Sequence, residues 1–556
     1  MAEERGGTNP AWKSQPASWT KLFGTFLVAL DPFKLLVAAA GILVTALGWW
    51  LLSVIFYSAW NVPNLDTIRL KANKDLSEAD RESWAQAEYA KSLDTWALMH
   101  ELAGPTERSV PLYAEYYQKR HPEGSPRNPR LTLGYGGKYR TMPWAENRGP
   151  NPYLLTRTMV GGSGPERRYV LGQFGTYQAP NLIEPLLKFL TPVYYLTDAR
   201  ATFWVYVYLL LLIIWLLVVW AFFGGVITRM AVLQLSGKEG GGVREAIAYV
   251  KRRYLSYFLS PAVPILLIGF LVFCCMLFGI IHWIPGLGDF WDGLLWPLPL
   301  LAGLVITLLL IGMVGYPMMY TTLSAEGSDT FDALSRSYNY VYESPWHYIW
   351  YSIVAIIYGA VLTLFVVTAG SLTTYFAKWG VSKFPAWGAD RSPEYLFVYS
   401  PESLGWRKLL TDGSPAAIND MGEPINPAAY EKYMKEYAWY NEAGAAMTSF
   451  WIHLVFLMVI GFSYSYFWTA STQIYLLMRK RVDETELDEV YVEEEAPAAP
   501  VMPSSAPAAA PVPTPTGPLS VPVDPPTLKQ PEPATAPSQS TVPPADTPPG
   551  GSKPGA

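Results

Sequence analysis

Three carboxylates within seven residues, Glu326, Asp329 and Asp332, stand just past an apolar run, and hard oxygen ligands so closely spaced fit a divalent cation. The same residues also fit the start of a helix. Ser328 or Asp329 suits an N-cap, and Asp332 pairs with Arg336 at i,i+4. Capping and dipole complementation account for them without an ion, so no metal and no other cofactor is assigned. Elsewhere the chemistry is sparse. The five histidines, His100, His121, His282, His347 and His453, make no HxxxH or HExxH spacing, which argues against a zinc hydrolase. No GxSxG, Walker A or dinucleotide glycine pattern occurs, and Gly240-Gly241-Gly242 lacks the lysine that a phosphate loop needs. The adjacent Cys274 and Cys275 lie in an apolar run and read as small packing residues. Lys251, Arg252 and Arg253 form a basic cluster at the end of an amphipathic stretch, where each meets anionic headgroups for about 1 kcal/mol. No catalytic residue is named, and an enzyme is not expected.

The elements that would position these residues are membrane helices. The chain of 556 residues is 51% hydrophobic and only 16% charged, against roughly 25% charged in soluble domains. A net charge of −5 argues against a nucleic-acid partner. Apolar runs at 35–58, 203–227, 261–283, 294–316, 348–372 and 447–470 each exceed or approach the ~20 residues that span a bilayer. The expected fold class is an all-α integral membrane protein with six transmembrane helices. Basic residues orient it: Arg229 to Arg253 fall between the second and third runs, Arg479-Lys480-Arg481 closes the last, and the 284–293 loop has acids but no Lys or Arg. Both termini are then cytoplasmic, in the inner membrane of the cell, and 59–202 and 373–446 face outward.

The remaining segments follow from this. Residues 1–34 are an N-terminal segment whose stretch 19–33 lies along the interface, and the first span reads as a retained signal-anchor. The outward 59–202 domain has a helix over 76–102, started by Ser77 and ended near Gly104-Pro105, then Gly/Pro-rich loops with a short strand at 169–173. The apolar 181–195 lies on the outer membrane surface. The connections 228–260 and 317–347 are amphipathic surface helices. The outward segment 373–446 holds a helix over 428–438 with Tyr430, Tyr433, Met434 and Tyr437 on one face. The tail 471–556 is disordered from about 483, where an acidic run gives way to Pro/Ala-rich low complexity.

The two cytoplasmic connections match each other. Leu235-Ser236-Gly237-Lys238-Glu239-Gly240 leads, after four residues, to Glu245-Ala246-Ile247, and Leu323-Ser324-Ala325-Glu326-Gly327 leads, after the same interval, to Asp332-Ala333-Leu334. The signature residues are Glu239, Glu245, Glu326, Asp332 and Arg336. Spans two and three and spans four and five form an internal parallel repeat, related by an axis along the membrane normal.

Four stretches carry a resemblance: FGGVITRMA at 223–231, EGSDTFDALSRSYNYVYESPWHYIWY at 326–351, PWAENRGPNPYLL at 143–155 and IYLLMRKRVDETELDEVY at 474–491. In these the chain resembles uncharacterised polytopic membrane proteins of planctomycete-type bacteria, over most of 140–495, which implies no activity. The repeated surface helix is more loosely similar to the membrane domain of bacterial glycerophosphodiester phosphodiesterases, whose catalytic module this sequence lacks. Apart from His282 at the end of the third run, the spans hold no acid or base besides His453, which disfavours proton-coupled transport. Ser465, Thr469 and Thr472 read as helix–helix hydrogen bonders. The leading expectation is a non-enzymatic accessory or scaffold component of a cell-envelope complex, with the bilayer and other membrane or envelope proteins as partners. The alternatives are a permease-like bundle moving a neutral or lipidic substrate and, third, a membrane-embedded lipid enzyme.

Overall fold

The structure, a computed structural model, describes residues 18–72, 77–105, 111–120, 137–161, 163–164, 179–238, 242–280, 286–383, 393–419 and 423–492. The strand expected at 169–173, His121, His282, Glu239 and the tail from 493 lie outside them. The described residues are helical, with one isolated β-bridge between Ile418 and Pro424. The main helices are α1 (Pro32–Ser58), α2 (Glu78–Ala103), α3 (Glu184–Tyr195), α4 (Phe203–Leu235), α5 (Val243–Gly279), α6 (Leu287–Leu295), α7 (Pro297–Met313), α8 (Tyr316–Glu326), α9 (Thr330–Glu343), α10 (Pro345–Ser382) and α11 (Trp439–Val482). Five of them, α1, α4, α5, α10 and α11, are long and apolar enough to cross a membrane. The count becomes six if α6 and α7, bent by 48° at Trp296, make one broken span. The chain is a multi-pass helical membrane protein.

Helices α4 and α11 form the centre, with α1, α8 and α10 packed around them. Close approach needs small residues. A Cβ on Gly461 would stand 3.0 Å from the Leu35 carbonyl oxygen, so α1 crosses α11 backbone to backbone there. Ser18–Gly24 and Thr25–Ala29, expected along the interface, dock on α10 and α11, where Ser465 Oγ donates to the Ala29 carbonyl at 2.7 Å. Of the other two hydroxyls expected to join helices, Thr472 bonds its own helix at Trp468, and Thr469 Oγ1 is buried without a partner.

The two matched connections fold differently. The first was expected as a surface helix separate from the third span, but α5 runs unbroken for 37 residues from Val243 through both. Nothing between Tyr254 and Leu267 ends it, because the proline pair Pro261 and Pro264 is tolerated within the helix. Beyond those prolines α5 leaves the core, and Leu266, Phe270, Phe273 and Met276 face outward. The second connection is broken twice. Gly315 separates α7 from α8, and Gly327, left-handed at φ 65°, separates α8 from α9. Ser337 Oγ donates to Gly315 O at 2.7 Å, Tyr338 to Leu309 O at 2.9 Å and Tyr348 to Val314 O at 2.8 Å. These donors satisfy backbone around the break, as an apolar setting requires.

At the end away from the tail, Ser77 caps α2 by accepting from Asp80 N–H at 3.2 Å. Residues 137–139 then take up its last carbonyls: Gly137, Lys138 and Tyr139 donate to His100, Glu101 and Leu102. At the opposite end the expectation of disorder from about 483 needs correction. Residues 483–492 fold back against the bundle, where Tyr491 N–H donates to the Ala325 carbonyl at 2.7 Å. An acidic, polar run has little apolar surface to bury, but backbone hydrogen bonds and arginines hold it.

Candidate functional site

At the tail end the signature residues of the second connection meet. Asp329 caps α9, its Oδ1 accepting the Asp332 N–H at 2.9 Å. Asp332 and Glu326 both turn to Arg336, whose Nε lies 3.1 Å from Asp332 Oδ1 and 3.0 Å from Glu326 Oε2. Glu326 also accepts from Tyr475 OH at 2.5 Å and faces Arg479 at 3.8 Å. Burial works against the Arg336 charge, but Asp332 and Glu326 outweigh it and hold the guanidinium firmly protonated. The three carboxylates considered for a cation are thus turned to a helix terminus and to arginines. Among the described residues no group of three His, Cys, Asp or Glu is placed to hold a metal.

Of the basic cluster, Lys251 and Arg252 are exposed, whereas Arg253 turns inward and donates to the Gly327 and Ser328 carbonyls. Glu245 is exposed on the first turn of α5 and does not join them. Sequence reasoning missed the residue at the centre, Arg229, which is 1% exposed. Its Nη1 donates to Ser324 O at 2.6 Å and Tyr491 O at 2.8 Å, and its guanidinium lies 4.1 Å from the Tyr249 ring centre. The available signal was position: Arg229 interrupts apolar sequence that continues through Met230-Ala231-Val232-Leu233.

A second cluster, also missed, meets α11 at Tyr464, eleven residues before Tyr475. The turn-containing PWAENRGPNP stretch brings Arg148 against Glu184 at the start of α3. Arg148 Nε donates to Glu184 at 2.8 Å, Nη2 to Glu146 at 2.7 Å, and Nη1 to Ser403 Oγ at 3.0 Å and to the Pro143 carbonyl. Lys188 closes the group at 2.9 Å from Glu146 and 3.1 Å from Glu184, and Tyr464 OH of α11 donates to Glu184 at 3.2 Å. Burial alone would raise the Glu184 carboxyl, but Arg148 and Lys188 hold it well below the usual carboxylate range.

Aromatic rings run between the two clusters. Tyr464 stacks on Trp220 at 4.8 Å, Trp220 lies 6.4 Å from Trp468, and Trp468 stacks on Tyr320 at 5.0 Å. Tyr320 then meets Tyr257 edge-on at 5.6 Å, and Tyr257 OH lies 2.7 Å from Ser324 Oγ. Beside them is a cavity of about 20 Å³, lined by residues including Phe189, Trp220, Tyr316, Tyr320 and Trp468, with room for one water.

The stretches 223–231, 326–351 and 474–491 converge on the tail-end cluster, and 143–155 contributes to the other. No family model, curated protein or solved structure matches the chain.

Proposed function

We propose that this protein is a non-enzymatic accessory or scaffold component of a cell-envelope complex, seated in the inner membrane with both termini cytoplasmic. The observation that supports this reading is the Arg148 cluster. It ties residues 143–151, α3, Ser403 and α11 into one layer packed against the middle of α11, with its charges satisfied internally. A rigid layer of this kind suits holding other envelope proteins in place, and the planctomycete-type resemblance is compatible with it. The test is affinity purification in mild detergent, comparing the unaltered chain with Arg148→Met. Partners recovered with the first and lost with the second, at equal membrane insertion, are the expected result. Recovery of the bare chain from both would overturn the reading.

The permease reading has its own support in the break at Trp296 and Gly315 and in the aromatic-lined cavity beside α8, since transporters build sites from interrupted helices. Flux of a neutral amphiphile across liposomes bearing the protein, absent from protein-free liposomes, would favour it over the scaffold.

A further inference from the structure

Two guanidinium groups share one tyrosine ring at the tail end: Arg229 lies 4.1 Å and Arg253 5.2 Å from the Tyr249 ring centre. Like charges held together in a site this buried call for an anion between or beside them. Among the described residues neither arginine has a carboxylate within ion-pair distance; Glu326 is taken by Arg336 and Arg479, and Asp483 faces Arg336. What they have is backbone carbonyls, from Ser324 and Tyr491 for Arg229 and from Gly327 and Ser328 for Arg253. Arg229 Nε is buried with no partner at all.

The cover over this pair is residues 483–492. Half of them are acidic (Asp483, Glu484, Glu486, Asp488 and Glu489), yet their contact with Arg229 is the Tyr491 carbonyl. The Tyr491 ring lies 5.6 Å from the Arg253 guanidinium and occupies space where a Cβ on Gly327 would come within 2.8 Å of it. We propose that Arg229 and Arg253 form a binding site for a phosphoryl oxyanion, and that residues 483–492 are an internal occupant which an incoming phosphate group displaces. Neutral carbonyls, of which the segment supplies that of Tyr491, occupy only some of the donor positions and leave the two charges uncompensated. A phosphate group offers charged oxygens to both guanidinium forks and compensates them. The segment competes because it is tethered, which gives it an effective concentration of about millimolar. Lys251, exposed on the same helix, adds to the field that draws an anion in.

The ligand is either free phosphate or a lipid headgroup, and one experiment separates them. Hydrogen exchange is followed on the full-length protein in phosphatidylcholine nanodiscs, reading the Tyr491 amide that donates to Ala325. One arm adds inorganic phosphate to about 10 mM, above the tether's effective concentration. The other replaces part of the lipid with phosphatidic acid. Exchange across 483–492 is expected to accelerate at least about tenfold in one arm, with 78–103 unchanged as a control for folding. Acceleration by phosphate identifies a soluble ligand; acceleration by phosphatidic acid alone identifies a headgroup. Arg253→Gln should abolish the response. Tyr491→Pro, which lacks the N–H and the ring, should tighten binding of the responding probe about tenfold, near 1.4 kcal/mol. No acceleration in either arm, or unchanged affinity in Tyr491→Pro, would overturn the proposal.

Discussion

Arg148 and Arg229 are both buried guanidiniums of one bundle, and their surroundings differ in kind. Arg148 sits among Glu146, Glu184 and Lys188, two acids and two bases that cancel, with a serine hydroxyl and a carbonyl completing the donors' partners. Arg229 sits among carbonyls and a tyrosine face. A guanidinium between two carboxylates is committed, because removing it leaves two largely covered negative charges to share the one cation of Lys188. One held by carbonyls strands nothing charged when its contacts open. The first arrangement locks; the second exchanges.

The largest expected effect that separates them is Arg148→Met, which leaves Lys188 as the one cation beside Glu184 and Glu146 and should cost about 3–5 kcal/mol, read as a lower denaturation midpoint in detergent. Arg229→Met removes hydrogen bonds to neutral acceptors and should cost less, about 1–3 kcal/mol. Equal losses in the two variants would erase the distinction. Acid sharpens it further. Burial holds the His100 imidazole down to about 4, against an ordinary value near 6.5. Its neutral form, in contact with Tyr57 OH at 2.8 Å, therefore contributes stability in full above pH 6.5, and that contribution falls away as pH drops towards 4. The Glu184 contribution persists further, because a carboxyl held below its usual value is lost only at lower pH still. Exchange protection of 78–103 should thus weaken between pH 6.5 and 4 while the Arg148 cluster stays closed, and His100→Phe should flatten the change. Asp329→Ala removes one cap and should cost about 1 kcal/mol in the melting of α9, with calorimetry for calcium unchanged from the starting protein. Smallest of all is Lys251→Ala, exposed beside the inward-turned Arg253, which should stay within about 0.5 kcal/mol.

Local signals in the sequence were easy to read and distant ones were not. Ser77 and Gly104 bracket α2 because capping is settled within a few residues, and α9 starts at Asp329 for the same reason. The apolar runs announce the long helices directly. The second apolar run, however, stops at 227, which leaves Arg229 just outside it and gives no sign of its burial inside α4. Arg148 was invisible for another reason: Ser403 and Tyr464 lie hundreds of residues further along the chain, and no local pattern links them. The acidic run at 483 has the composition of a solvated tail, and composition does not record that two arginines donate to its backbone and a third packs on its tyrosine ring. Arg479, bonded to the Glu486 and Glu489 carbonyls, completes that set with Arg229 and the ring-stacked Arg253.

Helix α11 carries Tyr464 at one cluster and Tyr475 and Arg479 at the other, in a single unbroken run of 44 residues. At 1.5 Å per residue that is about 66 Å, roughly twice the hydrocarbon thickness of a bilayer. A rod of this length has no joint in which to absorb movement. The fifteen residues from Tyr464 to Arg479, about 22 Å of that length, join the two clusters without a break, so the outer layer and the folded-back segment are held in one fixed register along the same helix.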